Sequence, residues 1–163
     1  MAITFPGSAV SLEGVRFTQV DSSPLFSLGT TVWDTNGSLW QYVDGGGTIA
    51  QYEYVKISTD GLFVATSLTT TTNPNTEPGV VGCVQASDGL TSSTYGWVIR
   101  SGYHVGKFAA SCVQDVKIYT TGTAGVVDDS ATTLVNGLKL ITTIVGASNA
   151  PAFACCPMTT VAA

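Results

Sequence analysis

Charge is the scarcest resource in this chain. Asp, Glu, Lys and Arg together make up 10% of its 163 residues, where about 25% is usual for a soluble protein. An amphipathic helix needs a continuous polar face, built mainly from Glu, Lys, Arg and Gln. Six Lys and Arg with eleven Asp and Glu cannot supply such faces repeatedly, so long amphipathic helices are not expected. Hydrophobic content is an ordinary 44%, enough for a core at this length, which excludes disorder as a description of the whole. The polar complement is Gly, Ser and Thr, which suit turns and strands. The fold expected is all-β, a compact β-sandwich or small β-barrel.

Turn chemistry divides the chain into short strands. Residues 1–26 show no strong period and are punctuated by Pro6, Gly7 and Pro24, so they read as an extended N-terminal arm, with the β domain over 27–163. Within the domain, Leu28–Trp33 and Ser38–Val43 flank Asp34-Thr35-Asn36-Gly37, a turn in which Asn-Gly tolerates positive φ. Ile49–Ser58 and Leu62–Leu68 follow, which predicts a four-strand meander. Glu53, Val55 and Ile57 are expected on one face of the third strand, with Tyr52, Tyr54 and Lys56 on the other. Thr69–Gly79 is a polar, Pro-containing loop. Further strands are expected at Val80–Ala86, Tyr95–Arg100, Tyr103–Ala109, Val116–Thr120, Leu134–Val145 and Phe153–Val161. Val126-Val127 reads as a stub and Asp129–Leu134 as a short helix. Strands at this spacing fit a sandwich or barrel.

Candidate chemistry is thin. A net charge of −5 with dispersed cations argues against nucleic-acid binding. No basic-then-apolar leader and no apolar run of about 20 residues is present, so a soluble protein of cytoplasmic origin is expected, without membrane contact. The lone His104 lies in a strand-like stretch and reads as structural rather than as a general base. Asp44-Gly45-Gly46-Gly47 lacks the helix and Lys of a phosphate loop. Asp128-Asp129-Ser130 could touch a cation, but reads better as a solvated turn. Cys83, Cys112, Cys155 and Cys156 are expected to be buried, reduced thiols, since paired zinc-ligand spacing is missing. No enzyme, cofactor or metal is expected. The aromatics Trp33, Trp40, Tyr42, Tyr52 and Tyr54 read either as a cross-strand core cluster or as interface anchors. A carbohydrate-stacking platform is a smaller alternative.

Several stretches then resemble one family. Ser27-Leu28-Gly29-Thr30, Asn36-Gly37-Ser38-Leu39-Trp40-Gln41-Tyr42-Val43 and Gly47-Thr48-Ile49-Ala50-Gln51-Tyr52 carry it in the first half. Tyr95-Gly96-Trp97-Val98, Ala109-Ala110-Ser111-Cys112, Ile118-Tyr119-Thr120-Thr121 and Thr123-Ala124-Gly125-Val126-Val127-Asp128-Asp129 carry it in the second. Across about residues 27–145 the chain resembles bacteriophage capsid decoration (cement) proteins, small head proteins of tailed phages. The resemblance implies a structural virion protein on the outer capsid surface, bridging major capsid protein subunits as a homotrimer. The apolar arm residues Ile3, Phe5, Val10, Leu12 and Phe17 are then expected to contact the capsid or a neighbouring copy, the alternative being that the arm folds back as an edge strand on its own domain. A phage tail or fibre component, which would share the β composition, is the competing expectation.

Overall fold

The computed structural model describes residues 15–70, 79–130 and 133–160. As expected, it is all-β. Among the described residues, eleven strands form one continuous sheet: β1 (Val20–Asp21), β2 (Thr31–Trp33), β3 (Leu39–Gly45), β4 (Tyr54–Ile57), β5 (Val64–Ser67), β6 (Val80–Val84), β7 (Tyr95–Phe108), β8 (Ile118–Thr120), β9 (Val127–Asp128), β10 (Leu134–Leu140) and β11 (Ser148–Thr159).

The sheet closes on itself twice around β7. One ring of pairings runs β7–β6–β4–β5–β3 and back to β7; the other runs β7–β9–β8–β10–β11 and back to β7. The first ring encloses Val43, Val55, Ile57, Ala65, Val84 and Val98, with Ile49 and Leu90 at its end. The second encloses Phe108, Ile118, Val127, Val135, Leu138 and Leu140. Ala150, Ala152 and Ala154 also belong to that second interior. Each ring has too few strands for a lumen, so side chains fill it. Closure also removes most exposed sheet edge, the usual aggregation liability of a β protein.

β7 can serve both rings because it changes faces partway. Tyr95–Arg100 and Tyr103–Ala109 are one 14-residue strand, not the two expected. Its pairing with β3 carries a bulge at Arg100: Leu39 stands opposite Ser101, whereas Trp40 stands opposite Ile99, so Arg100 is the extra residue. Gly102 takes φ +113, and a Cβ there would lie 2.4 Å from Ser38 Oγ. Only glycine combines that backbone with that approach.

Three further expectations are corrected. The four strands from β2 to β5 are not a meander: β3 pairs β7 antiparallel and β5 parallel, and β4 pairs β5 and β6. Tyr52 and Tyr54 do not share a strand face. Tyr52 turns the chain at φ +68 before β4 begins, and its carbonyl and N–H bond Lys107 N and Val84 O instead. The described residues of Asp129–Leu134 form no helix: Asp129, Ser130 and Thr133 are bends and Leu134 opens β10.

The segment before residue 27 is joined to the domain from Val15 onward. β1 pairs with Gly96 and Tyr95 of β7, and Phe17 stacks on Trp40 with centroids 4.8 Å apart. Phe26 meets Tyr42 and Trp97 edge-on at 5.2 and 5.1 Å. Tyr42 Oη donates to Asp21 Oδ2 at 2.7 Å and accepts from Leu25 N. Ile3, Phe5, Val10 and Leu12 lie outside the described residues, as does most of Thr69–Gly79.

Candidate interaction surface

The candidate aromatics divide sharply. Trp40, Tyr42 and Tyr54 are core residues, Tyr42 fully buried. Trp40 and Tyr42 alternate with Leu39, Gln41 and Val43 on β3, so their rings face Phe17, Phe26 and Trp97 rather than solvent. Tyr52 is partly buried in its turn. Phe17, expected at a capsid or subunit contact, is partly buried against Trp40 and Trp97 of its own chain. Trp33 alone among these six turns outward, 58% exposed.

Trp33 is not isolated. It stands opposite Leu39, Leu39 opposite Ser101, and Ser101 opposite Cys155, giving one row across four strands. The next row holds Tyr103, Phe153 and Lys139, again directly opposite one another. Tyr103 is 74% exposed, and its ring meets that of Phe153 at 5.0 Å. Partly exposed Val105 and exposed Pro151 extend this face. Tyr103 and Phe153 were not singled out from the sequence. Their signal is the alternation Ala150-Pro151-Ala152-Phe153-Ala154, in which small residues face a tight interior and the large one must face out.

Two open depressions flank Phe153. One, of about 450 Å³, lies between Tyr103, Phe153 and the turn residues Asp34, Asn36 and Ser38. The other, of about 260 Å³, is lined by Val116, Asn136, Lys139, Phe153 and Cys155. The turn beside the first is fixed by one carboxylate. Asp34 Oδ1 accepts from Asn36 N and Ser38 N, both at 2.8 Å, and Oδ2 accepts from Trp40 Nε1 at 2.9 Å. Burial works to raise this carboxyl, but the hydrogen bonds from Trp40, Ser38 and Asn36 outweigh it and hold it below its ordinary value. The Trp33–Tyr103–Phe153 face is therefore carried on sheet and a locked turn, so little ordering entropy opposes its contacts.

His104 has a structural assignment. Its Nδ1 lies 3.2 Å from Gly102 O, which can only accept, so Nδ1 carries the proton. Nε2 then accepts from Tyr54 Oη at 3.1 Å. Burial pushes its pKa down to about 4, leaving a neutral ring that fills space between β4 and β7. Cys112 Sγ and carboxylate oxygens of Asp128 and Asp129 lie within 4.8 Å of one another. Those carboxylates already accept backbone N–H groups, Asp129 from Val113 and Asp128 from Asp129. Burial, with the two carboxylates, pushes the Cys112 thiol up to about 11. This is the chemistry of a satisfied turn over a neutral thiol. Cys83 is buried as expected, but Cys155 and Cys156 are exposed, a correction to the sequence reading.

Neither a known protein family nor a curated protein matches the chain.

Proposed function

We propose that this protein is a non-catalytic structural component that acts by surface contact. The reading is a phage capsid decoration protein, set on the outer capsid surface and bridging major capsid protein subunits. One observation carries it: exposed Tyr103 and Phe153 meet ring to ring on the outward side of the sheet, with exposed Trp33 on the adjacent row of the register. Clustered exposed aromatics on a fixed scaffold are the usual anchors of protein interfaces. The low surface charge and the resemblance of residues 27–145 support the same reading, and the homotrimer rests on that resemblance alone. The neutral, hydrogen-bonded His104 supports a role without general acid–base chemistry.

Immunogold labelling of purified virions with antibody to this protein tests the assignment. Gold over the head shell is the expected result. Gold confined to tails would establish the fibre reading instead. A carbohydrate-binding role is the second reading, favoured by the depression that sets Asn36 and Asp34 beside the Tyr103 ring. A glycan array showing saturable binding, lost in Tyr103→Ser, would replace the capsid reading with that one.

A further inference from the structure

β11 alternates regularly until its two cysteines. Ala150, Ala152 and Ala154 face in, and Pro151, Phe153 and Cys155 face out. Cys156 should then face in, yet it is exposed like its neighbour, and Pro157 is buried in its place. The cause is a bulge. Leu138 stands opposite Ala154 and Asn136 opposite Met158, so residues 155–157 span the place of Gly137 alone. Both Gly137 and Cys156 take left-handed backbone, at φ +80 and +45. A Cβ at 137 would lie 2.5 Å from Cys155 O, so this partner must be glycine. A left-handed cysteine is uncommon, and bulges often serve to re-aim side chains. Here the bulge leaves two consecutive thiols exposed to solvent.

Both thiols have a cation in their surroundings. Lys139 lines the same depression as Cys155. Arg100 lies near enough to Cys156 for the two to interact electrostatically. Arg100 Nη1 donates to Gln41 Oε1 at 2.6 Å, while its buried Nε has no hydrogen-bond partner among the described residues. Thiol sulfur is the metal-ligating and nucleophilic atom of cysteine, and sulfur ligands select soft centres.

We infer that Cys155 and Cys156 form a bidentate site for a soft, thiophilic centre, the class that includes trivalent arsenic and soft metal cations. With phenylarsine oxide as probe, two S–H bonds and the As–O bonding are exchanged for two As–S bonds. One water leaves carrying both thiol protons, and arsenic stays trivalent, so no oxidant is required. The inference is independent of what the aromatic face binds.

The test uses the full chain, reduced, with intact-mass and thiol-alkylation readouts. Wild type should take up one phenylarsenic group and show two fewer thiols open to iodoacetamide. The adduct should be released by 2,3-dimercaptopropanol and resist an equal concentration of 2-mercaptoethanol. Cys155→Ser and Cys156→Ser, both at exposed positions, should each lose the monothiol-resistant adduct, whereas Cys83→Ser should keep it. Unchanged alkylation of wild type in the presence of the probe would overturn the inference. So would a resistant adduct in Cys155→Ser, because the site would then lie elsewhere.

Discussion

Acid should weaken this fold through one side chain before its carboxylates titrate in bulk. His104 is buried between Tyr54 and Gly102, with a folded-state pKa of about 4 against an ordinary value of 6.5. Between those values the unfolded chain binds the proton and the folded chain does not. The neutral ring's contribution is therefore fully present above about pH 6.5 and is lost as pH falls towards 4. At about 1.4 kcal/mol per unit of difference, linkage gives a loss of about 2 kcal/mol at pH 5 and about 3 kcal/mol at pH 4. The assay is urea unfolding followed by tryptophan fluorescence at half-unit steps from pH 7.5 to 4.5, on wild type and His104→Gln. Glutamine can accept from Tyr54 Oη but does not titrate. The difference curve should be flat above pH 6.5 and fall steadily below it. A difference curve that stays flat to pH 4.5 would refute the reasoning, since His104 would then be as protonated in the fold as out of it.

Other outcomes follow from the packing. Phe17→Ala removes a ring stacked on Trp40 and set edge-on to Trp97, and being half-buried it should cost about 2 kcal/mol in urea unfolding. An unchanged midpoint would mean that the segment from Val15 is not part of the folded unit. Tyr42→Phe deletes the hydroxyl that joins Asp21 and Leu25 to β3. A loss of about 1–2 kcal/mol is expected, with faster amide exchange at Leu25. Trp33→Ser, on the exposed side of β2, should leave the unfolding midpoint within about 0.5 kcal/mol of wild type. It should nonetheless lower the mass seen by light scattering at high protein concentration. Unaltered association would place self-contact on another face.

The features legible in the sequence were those with local causes. Asp34-Thr35-Asn36-Gly37 announces its own hairpin, because the Asp34 carboxylate and the positive φ of Gly37 act within four residues. The all-β class follows from charge scarcity, which no tertiary contact can alter. Features set by distant partners were not legible. Ser101-Gly102 looks like a strand end, yet β7 runs through it, and Ser38, 64 positions before Gly102, fills the space where a side chain at 102 would lie. Tyr52 continues the alternation of Tyr54 and Lys56 on paper, but its backbone bonds to β6 and β7 turn it out of the strand. The ring closures depend on β7 pairing with four other strands, a fact no single window of sequence contains. At the surface, Trp40 and Tyr42 resembled interface anchors as much as core. Only the rings of Phe17 and Phe26, supplied by the segment read as an arm, decide that they are buried.

The claim that the Trp33–Tyr103–Phe153 face is the contact surface is tested most directly by co-sedimentation. Shells assembled from the major capsid protein would be mixed with purified protein, either wild type or the Tyr103→Ser, Phe153→Ser double variant. Loss of two anchoring rings should cost at least about 2 kcal/mol, more than tenfold in affinity, with the variant's thermal unfolding close to wild type. Saturable wild-type binding that the variant loses is the predicted result. Equal binding by the two proteins, or no binding by folded wild type, would contradict it.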